Sequence, residues 1–142
     1  MSDWRQELDS LLGTRTRTTR AELESARFSE FLARVVVPAF KELRDALAVH
    51  GRETLIRESP ASATMTVKDG DIDEISVRVL MRSLPNNLIP YAEVRLRKGH
   101  RVVRSETMFR DADKTAGLDE ITSEEIIRSV LKHYRSAVEP GS

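Results

Sequence analysis

From Phe28 to Leu47 apolar side chains recur at helical spacing: Phe28, Leu32, Val35, Val36, Ala39, Leu43, Ala46 and Leu47. Intervals of three and four residues keep one face of an α-helix apolar, so this stretch is predicted helical. Thr19 with Glu22 fits a capping box, which puts the helix start near Arg20, and Gly51 after His50 supplies a left-handed stop. A straight helix of about thirty residues would extend about 45 Å, past a globule whose radius of gyration is about 14 Å. A bend is therefore expected. Pro38 is its place, because proline removes the amide that would bond the Arg34 carbonyl and its ring crowds that carbonyl.

Upstream, Trp4, Leu8, Leu11 and Leu12 form a shorter amphipathic pattern, and residues 14–20 contain nothing apolar. Residues 1–20 read as an amphipathic segment with a Thr/Arg linker, and residues 21–139 as a single domain. The segment either docks on another chain or folds back on its own core, and folding back is the preferred reading.

Between Glu53 and Phe109 the period changes to two, with runs at residues 54–58, 62–68, 74–83, 91–97 and 101–109. These read as an antiparallel meander of five strands. Asp69-Gly70 has the composition of a two-residue hairpin turn, but that turn would pair Val67 with Ile72 and put Met65 on the opposite face from Ile75, Val77 and Val79. A three- or five-residue loop with Gly70 at positive φ is expected instead. Lys98-Gly99 marks the last hairpin, and residues 83–90 form the longest connection within the sheet. Ile121, Thr122, Glu125 and Ile126 combine a hydrophobic staple with a capping box, so a final helix starts there. Its apolar stripe is Ile126, Ile127, Val130, Leu131, Tyr134 and Val138, and Pro140-Gly141 ends it. The chain is thus read as an α+β domain: a long N-terminal helix bent at Pro38, a five-stranded antiparallel meander and a C-terminal helix, with the helices on one sheet face.

The 142 residues suit one domain. Equal numbers of basic and acidic residues, 23 of each, mean that any binding to nucleic acid would rest on a local patch. The lack of cysteine removes disulfides, thiolate metal sites and cysteine nucleophiles. Asp3, Arg5, Glu7 and Asp9 interrupt any leader-like run, and the apolar stretch at residues 35–40 is too short for a membrane span, so a cytoplasmic protein without a membrane segment is expected.

Motifs for catalysis are scarce. There is no nucleophile elbow, no phosphate-cradling glycine loop and no zinc-binding histidine pair, and His50, His100 and His133 fall on separate elements. The enzyme question is left leaning to no, with no catalytic residue, metal or cofactor assigned. Two acidic stretches imitate calcium loops. The first, Asp69, Asp71 and Asp73, has Glu74 where glycine is needed and Leu80 where the bidentate glutamate belongs; the second, from Asp111, has Ala116 and Thr122 at those places.

Charge concentrates in one segment. Between Ile75 and Arg110 lie Arg78, Arg82, Arg95, Arg97, Lys98, Arg101, Arg104 and Arg110 against Glu93 and Glu106, a net charge of +6. Alternation with Val77, Val79, Met81, Val94, Leu96 and Val103 sends Arg78, Arg82, Arg95, Arg97 and Arg104 to one sheet face. A turn centred on Lys98-Gly99 would set Glu93 opposite Arg104 and Arg95 opposite Val102. Guanidinium groups suit phosphate and carboxylate, yet Tyr91 is the one aromatic expected on this face, too few for stacking bases. Leu80, Val102 and Met108 share the face and favour a protein partner over bare solvent. The expected binding surface is therefore Arg78, Leu80, Arg82, Tyr91, Arg95, Arg97, Val102 and Arg104. The expected function is a small non-enzymatic binding or adaptor module acting through protein contacts with a second copy or another protein. Anion or nucleic-acid binding through the arginine face is the alternative, and a ligand pocket between the Pro38 bend and the sheet comes third.

Overall fold

A computed structural model of the chain describes residues 3–84, 87–109 and 118–139, with the side chains of residues 14–19 and of Asn87 left out. The period-two region forms one antiparallel sheet whose strands follow chain order: β1 (Glu53–Ser59), β2 (Ser62–Asp69), β3 (Ile72–Leu84), β4 (Asn87–Lys98) and β5 (Arg101–Met108). Ahead of it run α1 (Asp3–Phe31), a π-helical turn (Leu32–Val36) and α2 (Val37–Val49); behind it come a 3₁₀ turn (Leu118–Glu120) and α3 (Ser123–Val138). The α+β class, the meander and the terminal helices agree with the sequence pattern.

The inner sheet face is built from directly opposed apolar pairs. Ala63 faces Val79, Met65 faces Val77 and Val67 faces Ile75 across β2 and β3, while Leu96, Val94 and Ala92 continue the same rows onto β4. All nine side chains are buried, together with Phe28, Leu32, Val36, Ala39, Phe40 and Leu43 from the N-terminal helices and Ile126 and Val130 from α3. The helices cover β1 to β4 and stop short of β5, whose inner positions Val103 and Ser105 remain exposed.

Two turns differ from expectation for one reason. At both hairpins glycine is the first central residue: Gly70-Asp71 joins Asp69 to Ile72, and Gly99-His100 joins Lys98 to Arg101. Gly70 (φ 63°) and Gly99 (φ 64°) take the left-handed position, and no described non-glycine residue has positive φ, the pattern of a type II′ turn. The β2–β3 connection is thus two residues long, not three or five. The face-matching demand still holds, because β3 carries a bulge: Lys68 opposes Asp73 and Val67 opposes Ile75, leaving Glu74 as the extra residue. Residues 83–90 are likewise not a long connection, since β3 and β4 pair to Leu84↔Asn87. Pro90 is tolerated within β4 because the pairing with β5 stops at Tyr91↔Met108, so its missing amide faces no neighbour on that side.

The helical region departs further. α1 is unbroken from Asp3, so there is no helix start near Arg20, and the Thr/Arg stretch is helical backbone. Its 29 residues extend about 43 Å. The overhang that the bend was expected to prevent is present: described side chains before Glu24 are all exposed, Trp4, Leu8, Leu11 and Leu12 among them, and the first buried one is Phe28. The expected fold-back of the N-terminal apolar segment is therefore corrected.

The irregularity expected at Pro38 lies just ahead of it. The Val37 amide reaches back to the Leu32 carbonyl, a five-residue step that admits Pro38 into the first turn of α2. Ser123 Oγ donates to the Val35 carbonyl at 2.8 Å, tying the start of α3 to this interrupted ladder. The start of α3 matches the sequence reading, with the Glu125 amide donating to Thr122 Oγ1 at 3.3 Å. Gly51 (φ 75°) ends α2 as expected. The helix end at Pro140-Gly141 and the second calcium-like loop, from Asp111 to Gly117, lie outside the described residues.

One buried polar atom stands out in this core. Thr54 Oγ1 on β1 is buried and has no hydrogen-bond partner among the described residues. Burying a hydroxyl without a partner costs about 1 kcal/mol or more. Thr54→Val keeps the shape and removes that cost, so we expect it to raise stability by about 1 kcal/mol in urea unfolding with an unchanged m value. Phe40→Ala, at a fully buried ring, is expected to lower stability by roughly 3–5 kcal/mol in the same assay.

Candidate functional site

The strand register collects the five arginines expected to share a face on the side of the sheet away from the helices. Arg78 and Arg82 stand on β3, Arg95 and Arg97 on β4 and Arg104 on β5, interleaved with Leu80, Tyr91 and Val102. Their immediate chain neighbours Val77, Val79, Val94 and Leu96 are buried on the other face. Because Gly99 is the first central residue of its turn, β5 is displaced by two residues from the expected register. Glu93 faces Glu106, Arg95 faces Arg104, and Arg97 faces Val102. The pairing of Glu93 with Arg104 is thus corrected, and on this face two like-charged pairs are left in direct opposition, an arrangement that destabilises a sheet.

Individual arginines differ in their surroundings. Arg82 lies with its guanidinium carbon 4.6 Å from the Tyr91 ring centroid and reaches Glu106 at 3.6 Å, so it is occupied and it covers the one aromatic of this face. Arg78 is opposite Glu93 in the ladder, but the two form no ion pair. Arg57 on β1 belongs to the same face, since it opposes Thr64, which opposes Arg78. The sequence reading missed it because β1 is separated in the chain from the cationic segment, and only the strand order brings them together.

Arg57, Arg78 and Arg95 line a shallow cleft of about 560 Å³ on this face. Hydroxyls of Thr64 and Ser76 lie between them, those of Ser59 and Ser62 extend the lining, and Glu58 and Glu93 add carboxylates. Ser59 Oγ and Ser62 Oγ are 3.0 Å apart, and Thr66 Oγ1 and Ser76 Oγ 3.3 Å apart, so the hydroxyls form rows across neighbouring strands. With strands about 4.8 Å apart, Arg57 and Arg78 are about 10 Å apart at the backbone, close enough for both side chains to reach one small anion. Arg82, Tyr91, Arg97, Val102 and Arg104 lie outside this cleft.

A second polar cluster sits at the other end of the fold. The bulge turns Glu74 toward the helices, where its Oε1 accepts from Arg52 Nε at 2.9 Å and from the Tyr134 hydroxyl of α3. Arg52 also donates to the His50 carbonyl at 3.3 Å and lies 3.7 Å from Asp69. A cavity of about 650 Å³ opens beside it, lined by Leu47, His50, Leu131 and Val138 as well as Arg52 and Tyr134. The Glu74 hydrogen bond, with help from its charge, raises the Arg52 pKa further above its already high value. Burial of the phenol, reinforced by the hydrogen bond to Glu74, pushes Tyr134 up to about 12. In the sequence Tyr134 stands out only as part of the apolar stripe of the last helix, and no alternation or motif marks Arg52 or Glu74.

Among the described residues there is no cluster of histidine, cysteine and acidic side chains able to hold a metal ion, and no helix long and apolar enough to cross a membrane. Compared with models of known protein families, with curated proteins and with solved structures, the chain matches none.

The Tyr134 environment carries a pH prediction. Its folded pKa lies above the unfolded value of 10.0, so folding favours the protonated phenol. That contribution is complete below pH 10 and is lost as pH rises through about 12. Phenolate absorbance should show one of the two tyrosines titrating near 12, and Tyr134→Phe should remove that step. Unfolding free energies compared below and above pH 10 should show wild type losing its margin over Tyr134→Phe; an unchanged difference contradicts the assignment.

Proposed function

We propose that this protein is a binding and adaptor module that acts through protein contacts, and that its primary contact is pairing with a second copy through α1. The observation that carries this reading is the exposed apolar stripe on α1. At about 100° per residue, Trp4, Leu8, Leu11, Leu12 and Leu23 fall within an arc of about 120°, and Trp4, Leu11 and Leu23 are 60%, 62% and 61% exposed. Helices owe most of their stability in proteins to tertiary packing of such a face, and an isolated helix of a dozen residues is marginal in water. The weak helix formers Thr14, Thr16, Thr18 and Thr19 add to the need for packing on this segment.

Charge selects the occupant. Residues 3–9 carry Asp3, Glu7 and Asp9 against Arg5, a net charge of −2, while residues 14–20 carry Arg15, Arg17 and Arg20, a net charge of +3. A parallel pair would set like charges together. An antiparallel pair sets the acidic half of each helix against the basic half of the other and brings the leucines together across the axis. The sheet domains then extend outward from the paired helices, with their outer faces free for other ligands.

Trp4 is the chain's single tryptophan and reports directly on this contact. The protein is expected to run as a dimer in light scattering, with Trp4 emission shifting to the blue as concentration rises. Leu8→Glu with Leu11→Glu should yield a monomer, return the emission to the red and lower the helical circular dichroism signal. Each leucine substitution alone is expected to weaken pairing by about 2 kcal/mol. Asp3→Lys with Glu7→Lys should weaken it less and remove its sensitivity to salt. A monomer at every concentration, with fixed Trp4 emission, would sink the proposal.

A further inference from the structure

We propose that the cleft lined by Arg57, Arg78 and Arg95 on the outer sheet face is a binding site for a small phosphorylated polyhydroxy compound. The distribution of ion pairs is the first reason. Arg20, Arg27, Arg34, Arg44, Arg52, Arg82, Arg128 and Arg135 each have a carboxylate within 4.0 Å. The described arginines with no ion pair among the described residues are Arg5, whose guanidinium lies 5.2 Å from the Trp4 ring, Arg101 in the last hairpin, and the outer-face set Arg57, Arg78, Arg95, Arg97 and Arg104. Unneutralised guanidinium is thus concentrated on this face, and Arg95 stands directly opposite Arg104 at a cost that a bound anion would offset.

The lining then defines the ligand. Three guanidinium groups suit the oxygens of one phosphoryl group, which takes bidentate hydrogen bonds from arginine. Thr64 and Ser76 occupy the floor between Arg57, Arg78 and Arg95, and their hydroxyls can either donate to the phosphoryl oxygens or exchange bonds with ligand hydroxyls. Glu93 accepts only, so it repels a second phosphate and welcomes a hydroxyl donor. A volume of about 560 Å³ suits a compact molecule with one anionic end and several hydroxyls. A nucleic-acid strand fits less well, because Glu93 and Glu106 form an acidic pair across its path toward β5 and Arg82 covers the Tyr91 ring that a base would need.

The test is calorimetric titration of the full chain with inorganic phosphate, ribose and ribose phosphate, alongside the arginine Nε–Hε signals in NMR spectra. Ribose phosphate is expected to saturate, to shift the signals of Arg57, Arg78 and Arg95 while leaving Arg128 in place, and to bind about tenfold more tightly than inorganic phosphate. Arg78→Gln and Arg95→Gln should each weaken it about tenfold or more without lowering the thermal midpoint, because both side chains are exposed and Arg95→Gln also relieves the opposition to Arg104. Glu93→Gln should erase the preference for ribose phosphate over phosphate and leave phosphate binding intact. Lack of saturation, equal shifts at Arg128, or equal affinity for the two phosphates overturns the proposal. So does a single-stranded oligonucleotide that displaces ribose phosphate from the same arginines.

Discussion

A two-residue turn at Gly70-Asp71 fixes the phase in which β3 leaves its hairpin, and in that phase Glu74, Ser76 and Arg78 would follow Val67 and Met65 into the core. Ile75, Val77 and Val79 would face water. The extra residue at Glu74 reverses the alternation, so every later residue of β3, and through it the rows of β4, takes the face on which it is found. The same bulge aims Glu74 at the helices, where one carboxylate oxygen joins Arg52 at the end of α2 to Tyr134 of α3. Sheet register and helix docking are therefore set at one position. A half-buried carboxylate there is tolerable because it is met by a guanidinium and a phenol at once.

The other constraint is Pro38. Missing an amide, it forces the helical ladder to step to a five-residue bond at Val37, and Ser123 fills part of the interruption by bonding the Val35 carbonyl. The residues around this point, Phe28, Leu32, Val36 and Phe40, are the ones that seal the sheet's inner face. What precedes them is left outside. α1 runs on from Phe28 toward Asp3 with its apolar stripe unburied, which is why the helix that closes the core also furnishes the surface through which we propose the protein pairs.

The sheet then has two working sides. Inside, opposed apolar pairs hold the domain; outside, the same alternation displays unneutralised arginines among hydroxyls. Pairing through α1 leaves the outer face open, so self-association and anion binding would use separate surfaces of one molecule.

Much of this was legible in the chain. Apolar spacing alone gave the class, the strand order and the core helices, because burial enforces period two in a half-buried strand and about 3.6 in a packed helix. It also placed Arg78, Arg82, Arg95, Arg97 and Arg104 on one face. Register was not legible: the pattern called for a three- or five-residue loop around Gly70 and a turn with glycine second at Lys98-Gly99, whereas both are two-residue turns with glycine first, and the second difference moved Glu93 from Arg104 to Glu106. Nor were Arg57 and Glu74, whose importance comes from neighbours distant in the chain. The sequence by itself determined which residues are apolar and with what period, since these follow from side-chain chemistry and local geometry. Only the tertiary structure decided which charges meet, because that depends on turn phase, one bulge and the order of strands, to which local spacing is blind.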